Sequence, residues 1–493
     1  MKKITLAAAI LAAGCSHLPS VGPDYSEPDA EMERFAAPDA GMPTADRTAT
    51  GEWKIADAGA DSRAEISPDE IKRWWERFDD AVLDSLVDGA VSNNLSFLMA
   101  QKRLETSRWM LFGTYAAFLP RIDGSAFAQQ TEKGENTSAM WGTGRTRHRD
   151  IFSAGFDATW EIDIFGGSRR ETEAARAEAE AAAWNLADAW VTLSSEVGRE
   201  YIMLRTTQQR IAVARTNLVL QTETYEILKS RFDSGIGDEL AVSQSKYVVD
   251  QTLARIPTLL AQEEQLKNAL AVLVGETPGA LHETLAACPA RDWLTEPAKL
   301  SEIPLDAVRA RPDVRAAERR LAAQVARIGI AKSMWFPRFF VNGSLGLESV
   351  KLSKFVSRDS FYGAIGPSVS WPIFQGGAVY ASVKAEEAKT DEAYLAYELA
   401  LAEACGDIRD CCSSYSQEYH RYQALQGAVK AAKDAVDISN DLYRNGLKDF
   451  TAVIDAQRSL LNLEEELVIS RGDIAVNLIS LYKSLGGGVP ENM

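Results

Sequence analysis

Apolar residues recur along this chain in two rhythms, and each rhythm occurs twice. From Ser168 to about Phe232 there is no proline and a single glycine, and Val191, Val197, Tyr201, Leu204, Ile211, Leu218, Tyr225 and Leu228 return at spacings of three, four, six and seven. From Ala378 to about Tyr443 the same is true apart from Gly406 and Gly427. Each stretch predicts a helix of about 65 residues, roughly 100 Å long. Helices of that length with an apolar seam bury it against neighbouring helices in coiled-coil fashion, not against one compact core. Alanines crowd the start of the first stretch (Ala174, Ala175, Ala177, Ala179 and Ala181 to Ala183). They allow close helix approach, and they also favour the helix by propensity alone.

The second rhythm has period two. Phe152, Ala154, Phe156, Ala158 and Trp160 alternate with Ser153, Gly155, Asp157 and Thr159. Phe339, Val341, Leu345 and Leu347 alternate with Phe340, Asn342, Ser344 and Glu348, and Phe361, Ile365, Val369 and Trp371 alternate with Ala364, Ser368 and Ser370. The segment from Ile122 to Gln130 follows the rhythm less clearly. Strands of about ten residues with one apolar face, one polar face and aromatic ends suit a transmembrane β-barrel. A solvated antiparallel sheet on a soluble core is the other reading. Four strands do not close a barrel, so the spanning reading requires an oligomer.

The two rhythms belong to a duplicated unit, the first thing to look for in a chain of this kind. Leu119, Pro120, Arg121 and Ile122 fall 217 positions before Phe336, Pro337, Arg338 and Phe339, and Arg103-Leu104 fall 217 before Arg320-Leu321. Further on, Gly235 and Asp238 fall 211 positions before Gly446 and Asp449. Each long helix therefore ends at a glycine and restarts at once: Ser234, Gly235, Ile236, Gly237 and Asp238 in the first copy, Asn445, Gly446, Leu447, Lys448 and Asp449 in the second. Glycine past a helix end and aspartate at the next N-cap punctuate a helical hairpin. Pro257, inside the first returning helix, is expected to kink it.

Length and composition narrow the class. The 493 residues are 46% apolar and 25% charged, with a net charge of −17 that becomes −19 if Lys2 and Lys3 are removed with a leader. No basic run of five or more residues exists, so nucleic-acid binding is not expected. No stretch approaches the roughly 18 to 20 apolar residues of a spanning helix, which leaves strands as the only way across a bilayer. Lys2, Lys3, the apolar run Ile4 to Ala13 and Gly14-Cys15 have the shape of an export leader. They resemble the bacterial lipoprotein signal, whose cleavage leaves an acylated cysteine, here Cys15, with Ser16 after it favouring the outer membrane. A plain secretory leader with an incidental cysteine is the alternative. Some fifty residues rich in Pro, Ala, Asp, Gly and Thr follow and read as an extended tether. Cys288, Cys405, Cys411 and Cys412 lack metal-ligand spacing, and His17, His148, His282 and His420 do not complete a site. Cys405 and Cys412 share one helix face, as small buried residues or as an oxidised periplasmic pair.

Five stretches, in order, carry a resemblance: Val21-Gly22-Pro23-Asp24-Tyr25; Trp74-Trp75 with Phe78, Leu83, Leu86 and Asn94-Leu95; Trp160 to Gly166; Arg311-Pro312-Asp313-Val314-Arg315-Ala316-Ala317-Glu318; and Tyr443 to Gln457. The chain resembles the TolC-like outer-membrane factors of tripartite efflux, and among them the acylated NodT-type lipoproteins. The resemblance implies a mainly α fold with a membrane β-barrel part. A duplicated unit of long coiled-coil helices plus two strands would form, as a homotrimer, a twelve-stranded β-barrel on a periplasmic α-barrel. The expected organisation is a signal peptide over 1–14, a tether over 15–68, the repeats over 69–290 and 305–486, a linker over 291–304 and a tail over 487–493.

The implied function is a passive exit duct in the outer membrane, without catalytic residues, cofactor or metal. It would work with a periplasmic adaptor of the membrane-fusion type and an inner-membrane pump, of the RND type by analogy, with Cys15 carrying palmitate or a similar acyl chain in outer-membrane lipid. The tips Ser234, Gly235, Ile236 and Asp238, and Asn445, Gly446, Leu447 and Asp449, would receive the adaptor. Asp455 stands where the family has a gate aspartate, Tyr443 where it has a gate tyrosine, and Lys448 where an arginine often stands, while Ala452 replaces a second aspartate. From the residues alone, Asp455 and Lys448 also read as solvated helix charges, and Asp449 as a helix cap. A type I protein-secretion duct and a membrane-tethered structural coiled coil remain alternative functions.

Overall fold

The computed structural model describes residues 20–28, 73–132, 148–286, 305–445 and 447–487. The leader, Cys15, most of the tether, the linker over 291–304, Cys288 and Gly446 lie outside them. The elements are α1 (Ala81–Asn93), α2 (Leu95–Thr114), β1 (Arg121–Glu132), β2 (His148–Ile162), α3 (Gly167–Asp233), α4 (Glu239–Val274), α5 (His282–Ala286), α6 (Leu305–Ala310), α7 (Pro312–Ser333), β3 (Arg338–Ser349), β4 (Phe361–Ser370), α8 (Ala378–Arg444) and α9 (Phe450–Ser484). The two long helices span 67 residues each, within a residue or two of the expected bounds. No helix among the described residues is long and apolar enough to cross a membrane.

The chain forms two compact units, each assembled from segments of both halves: 1–29, 103–182 and 316–397 in one; 30–102, 183–315 and 398–493 in the other. The first holds the strands, an antiparallel meander in the order β1-β2-β3-β4. Opposed residues share a face, and the register sorts the side chains accordingly. Ile122 faces Ala158, Phe156 faces Leu345, Trp160 faces Val341, Leu347 faces Phe361 and Phe339 faces Val369 on the apolar face. Asp123 opposes Asp157, which opposes Ser344, on the polar one. Gly155 and Gly346 lie opposite each other on the polar face, where a Cβ at either would crowd a neighbouring backbone oxygen and the Tyr362 side chain. Pro367 lies in β4 opposite Val341 of β3 and brings no N–H to the ladder.

The roots of the strands repeat one contact twice. The Trp160 indole donates to the Phe118 carbonyl at 3.1 Å, and the Trp371 indole donates to the Trp335 carbonyl at 3.1 Å. These pairs are related by the same offsets found in the sequence, so the duplication survives at the level of a single hydrogen bond. Where β2 hands over to α3, Asp163 accepts from the Arg169 amide at 3.0 Å and Phe165 stacks on Phe336 at 4.5 Å.

In the second unit Trp74, Phe78, Leu83, Leu86 and Phe97 are buried. Trp74 stacks on Tyr482 with ring centroids 6.2 Å apart. Asp80 caps α1 through the Val82 amide and accepts from the Tyr201 hydroxyl at 2.7 Å, while Asn94 caps α2 through the Phe97 amide at 2.9 Å. Arg311 pairs with Asp313 at 2.7 Å and Asp407 at 3.2 Å, and donates to the Ser484 carbonyl at 3.0 Å. The Trp74-Trp75, Asn94-Leu95 and Arg311-Pro312-Asp313 stretches are thus packing and capping devices.

Cys405, Cys411 and Cys412 are free and half-buried, and burial pushes their thiols up. One continuous helix separates Cys405 from Cys412 by about 10 Å along its axis. That exceeds disulfide reach and rules out the oxidised pair.

Candidate gate and docking tips

Both hairpin tips belong to the second unit. In the first, α3 stops at Asp233, and the Ile236 amide reaches back to the Arg231 carbonyl at 3.0 Å while the Gly235 amide donates to Phe232 at 2.8 Å. Gly235 takes φ +74°, the left-handed conformation that ends a helix at lowest cost in glycine. Asp238 then caps α4, its carboxylate accepting from the Leu240 amide at 3.0 Å. In the second tip the Leu447 amide donates to the Leu442 carbonyl at 2.9 Å and Asn445 donates to Asp441 through both its backbone and its side chain. Asp449 holds the N-cap position of α9, but its side chain makes no capping bond. Ser234, Gly235, Asp238, Asn445 and Asp449 are exposed. So are Ile236 and Leu447, at 72% and 69%. Each tip therefore offers one apolar side chain on a polar turn.

Below the tips, Leu228, Ala241, Val248, Phe450, Val453 and Ile454 form a buried cluster, with Val242 and Tyr443 packed against it. Tyr443 meets Phe450 edge to face at 5.1 Å, and the Arg231 guanidinium lies over the Tyr443 ring at 5.7 Å. Such contacts fix ring orientation and are worth about 0.5–1.5 kcal/mol each beyond area burial. Asp455 follows Ile454 on α9 and is exposed, as is Lys448. The structure thus joins Tyr443 to Arg231 and Phe450, neither of which the sequence assigns a role, and among the described residues no hydrogen bond or ion pair joins Tyr443, Lys448 and Asp455. Phe450 carried a signal: it occupies, 211 positions on, the place of the exposed Glu239. Arg231 carried none, because a guanidinium near a helix end reads as a complement to the helix dipole.

Higher on the hairpins, Glu465 of α9 receives Arg210 of α3 at 2.6 Å and Arg255 of α4 at 3.1 Å, and Asn217 of α3 donates to Glu464 at 3.1 Å. Lys433 of α8 pairs with the same Glu464 at 3.1 Å. The second hairpin is bound to the first by polar contacts here and by apolar packing at the tip.

The family model described as outer membrane efflux protein matches residues 86–276 and 304–487. Nodulation protein T of Rhizobium leguminosarum bv. trifolii is 27% identical, over 97% of this chain and 96% of that protein. The solvent efflux pump outer membrane protein SrpC of Pseudomonas putida is 26% identical, over 99% of this chain and 98% of that protein. Among solved structures, the outer-membrane channel OprN superposes with a TM-score of 0.80 at 30% identity, covering 95% of this chain and 99% of that one.

Proposed function

The chain belongs to the outer membrane efflux protein family and is an exit duct of tripartite efflux in the outer membrane, and from that premise we propose how its parts divide the work. Three copies close the sheet: β1 and β4 each have one unpaired edge, and twelve strands with their apolar face outward satisfy every backbone group inside a bilayer. Cys15 carries the acyl chain, the repeats over 69–290 and 305–486 build the duct, and the tips at 234–238 and 445–449 dock a periplasmic adaptor. The pump behind the adaptor is of the RND type and the cargo is small amphiphilic molecules. The solvent efflux named for the SrpC relative supports that choice over protein secretion.

The observation that carries the gate reading is the cluster around Tyr443, which pins the start of α9 while Asp455 stands exposed just above it. Around a threefold axis each Asp455 meets two copies of itself, an acidic ring that attracts cations and repels anions. Replacing Asp455 by Ala is expected to change single-channel conductance in planar bilayers and to weaken block by divalent cations; unchanged values for both would remove Asp455 from the constriction. Crosslinking of the tagged protein in its native envelope, followed by affinity capture, tests the partners. Recovery of an adaptor with an RND pump supports the reading, and recovery of an ATP-driven secretion transporter would replace it.

A further inference from the structure

Residues 20–28, which the sequence reads as part of an extended tether, lie docked in the strand-bearing unit. The Val21 amide donates to the Phe165 carbonyl at 3.0 Å. Gly22 lies directly on Gly329 of α7: a Cβ on Gly22 would fall 2.5 Å from the Gly329 Cα, and one on Gly329 would fall 2.9 Å from the Val21 carbonyl oxygen. Gly166 makes the same kind of room for Ser20. Gly22 also sits at φ +104°, so both space and backbone conformation demand glycine there.

Polar groups close over this steric fit. Arg170 of α3 is only 3% exposed, and its guanidinium donates to the carbonyls of Val21 and Gly22 at 3.3 Å each, to Asp24 at 2.6 Å and to Glu173 at 2.7 Å. Charge-assisted bonds of this kind are roughly twice as strong as neutral ones, and a guanidinium fork can serve several acceptors at once. Next along the segment, the Tyr25 ring packs on Ala177, Ala322 and Ala323, its hydroxyl donates to the buried Glu318 at 3.0 Å, and Arg319 lies over its face at 5.4 Å.

The segment has a direction. Val21 lies at Phe165 and Gly329, next to the roots of β2 and β3, whereas Tyr25 lies at Glu318 and Ala322, some 10–16 Å further from the strands along α7. Ser20 therefore points the N-terminus toward the membrane end, and Cys15, five residues before it, is held within about 17 Å of that point by chain length alone.

We propose that residues 20–25 are a latch that docks the N-terminus into the groove between α3 and α7 independently of the acyl chain, with Arg170 as its positioning residue. Protein contacts then set where the lipid on Cys15 meets the foot of the strands. The lipid half of this inference rests on the acylation of Cys15 proposed above, whereas the latch itself does not.

Hydrogen exchange on the full-length protein in nanodiscs tests it. Peptide 20–28 should exchange slowly in the wild type, and equally slowly in a Cys15→Ser chain exported on a plain secretory leader. In Arg170→Met, exchange over 20–28 should rise about tenfold or more, the worth of one or two charge-assisted bonds, with the strands unchanged. Arg170→Lys keeps the charge without the fork and should restore only part of the protection. Two variants guard against misfolding of Arg170→Met. Asp24→Asn takes the charge from an exposed side chain and so weakens its bond to Arg170 without opening the core, and Gly329→Ala removes no charge; both should accelerate exchange over 20–28. Free-peptide rates in the wild type, or protection that disappears with the acyl group but survives Arg170→Met, would overturn the latch. The mass of the N-terminal peptide reports acylation separately: an unacylated Cys15 with 20–28 still protected would overturn the lipid half and uphold the docking.

Discussion

Gly198, midway along α3, faces the Trp74 indole so closely that an added Cβ would lie 2.3 Å from its Cη2 atom; Gly406 and Gly427, in α8, have nothing within 4 Å of theirs. The contrast extends along both helices. On α3, Tyr201, Arg205 and Gln208 are buried and hydrogen-bonded to Asp80 and the Leu285 carbonyl. On α8, most residues between the apolar contacts are exposed or half-buried. At the tips the order reverses. Offset by 211 positions, Tyr443 stands where the first copy has Phe232, and Phe450 where it has Glu239; only the second copy has an aromatic pair locked against the cluster. Both copies are packed along their length, but the first adds a buried polar network on its shaft and the second an aromatic pair at its tip.

The largest effect should come from the shaft. Gly198→Ala drives a methyl into a buried indole, and overpacking of this kind costs about 1–3 kcal/mol. Gly427→Ala fills open space in a helix interior and should stabilise by roughly 0.5–1 kcal/mol. Thermal melting of the purified protein should therefore shift in opposite directions for the same substitution in the two copies. Equal shifts would break the comparison.

Tip substitutions come next. Tyr443→Ala removes the ring between Arg231 and Phe450 and should cost about 1–3 kcal/mol locally, read as faster hydrogen exchange at the start of α9 and as higher resting conductance. Phe232→Ala removes a ring already 39% exposed and should stay within about 0.5 kcal/mol. If Phe232→Ala opened the channel as readily, gating would not be confined to the second copy. Smaller still is the capping difference. Asp238 bonds the Leu240 amide, so Asp238→Ala should cost about 1 kcal/mol of α4 stability, and Asp449→Ala, with no capping bond to lose, a few tenths at most.

These asymmetries mark the limit of what the sequence disclosed. The helix bounds near 167 and 233 and near 378 and 444 were readable because proline and glycine cluster only at the ends. The strands β2 to β4 were readable because bulky apolar residues alternate with polar ones. β1 was faint because its apolar face is built from Ile122, Gly124, Ala126 and Ala128, too small to give a strong rhythm. Gly235 at the end of α3 is legible as a helix stop, yet the Asp449 side chain makes no capping bond, and one partner of Tyr443, Arg231, comes from a helix more than two hundred residues away in sequence. Residues 20–28 read as extended tether because Gly22, Pro23 and Asp24 look like linker until Gly329 and Arg170 are brought against them. Close approach between distant glycines leaves no local pattern.

The bases of the two hairpins differ in a way that pH should expose. The C-terminal end of α9 is tied by the buried Arg311 guanidinium to the Ser484 carbonyl, a contact without a titrating partner near neutrality. The return of α4 is tied instead to α5 by the His282 ring, with Nε2 2.8 Å from Glu264 and Nδ1 2.9 Å from the Gly279 carbonyl. The hydrogen bond to Glu264, then that to Gly279, raises the His282 pKa above its ordinary 6.5, and the same bond to His282 lowers that of Glu264 below 4.5. A raised histidine contributes stability that is complete below pH 6.5 and lost as pH climbs through the folded value. A lowered glutamate contributes stability present above pH 4.5 and lost as pH falls through its own. The tie is therefore complete between about pH 4.5 and 6.5 and loosens on either side. Both groups are solvent-exposed, so salt screens the pair and its effect stays local to α5. Selective isotope labelling resolves it readily, since the chain has only four histidines. The His282 midpoint should lie above 6.5 and return toward it in Glu264→Gln, while the amides at the end of α9 stay insensitive over the same range. A His282 midpoint at the ordinary value would mean that the first hairpin is as indifferent to pH at its base as the second.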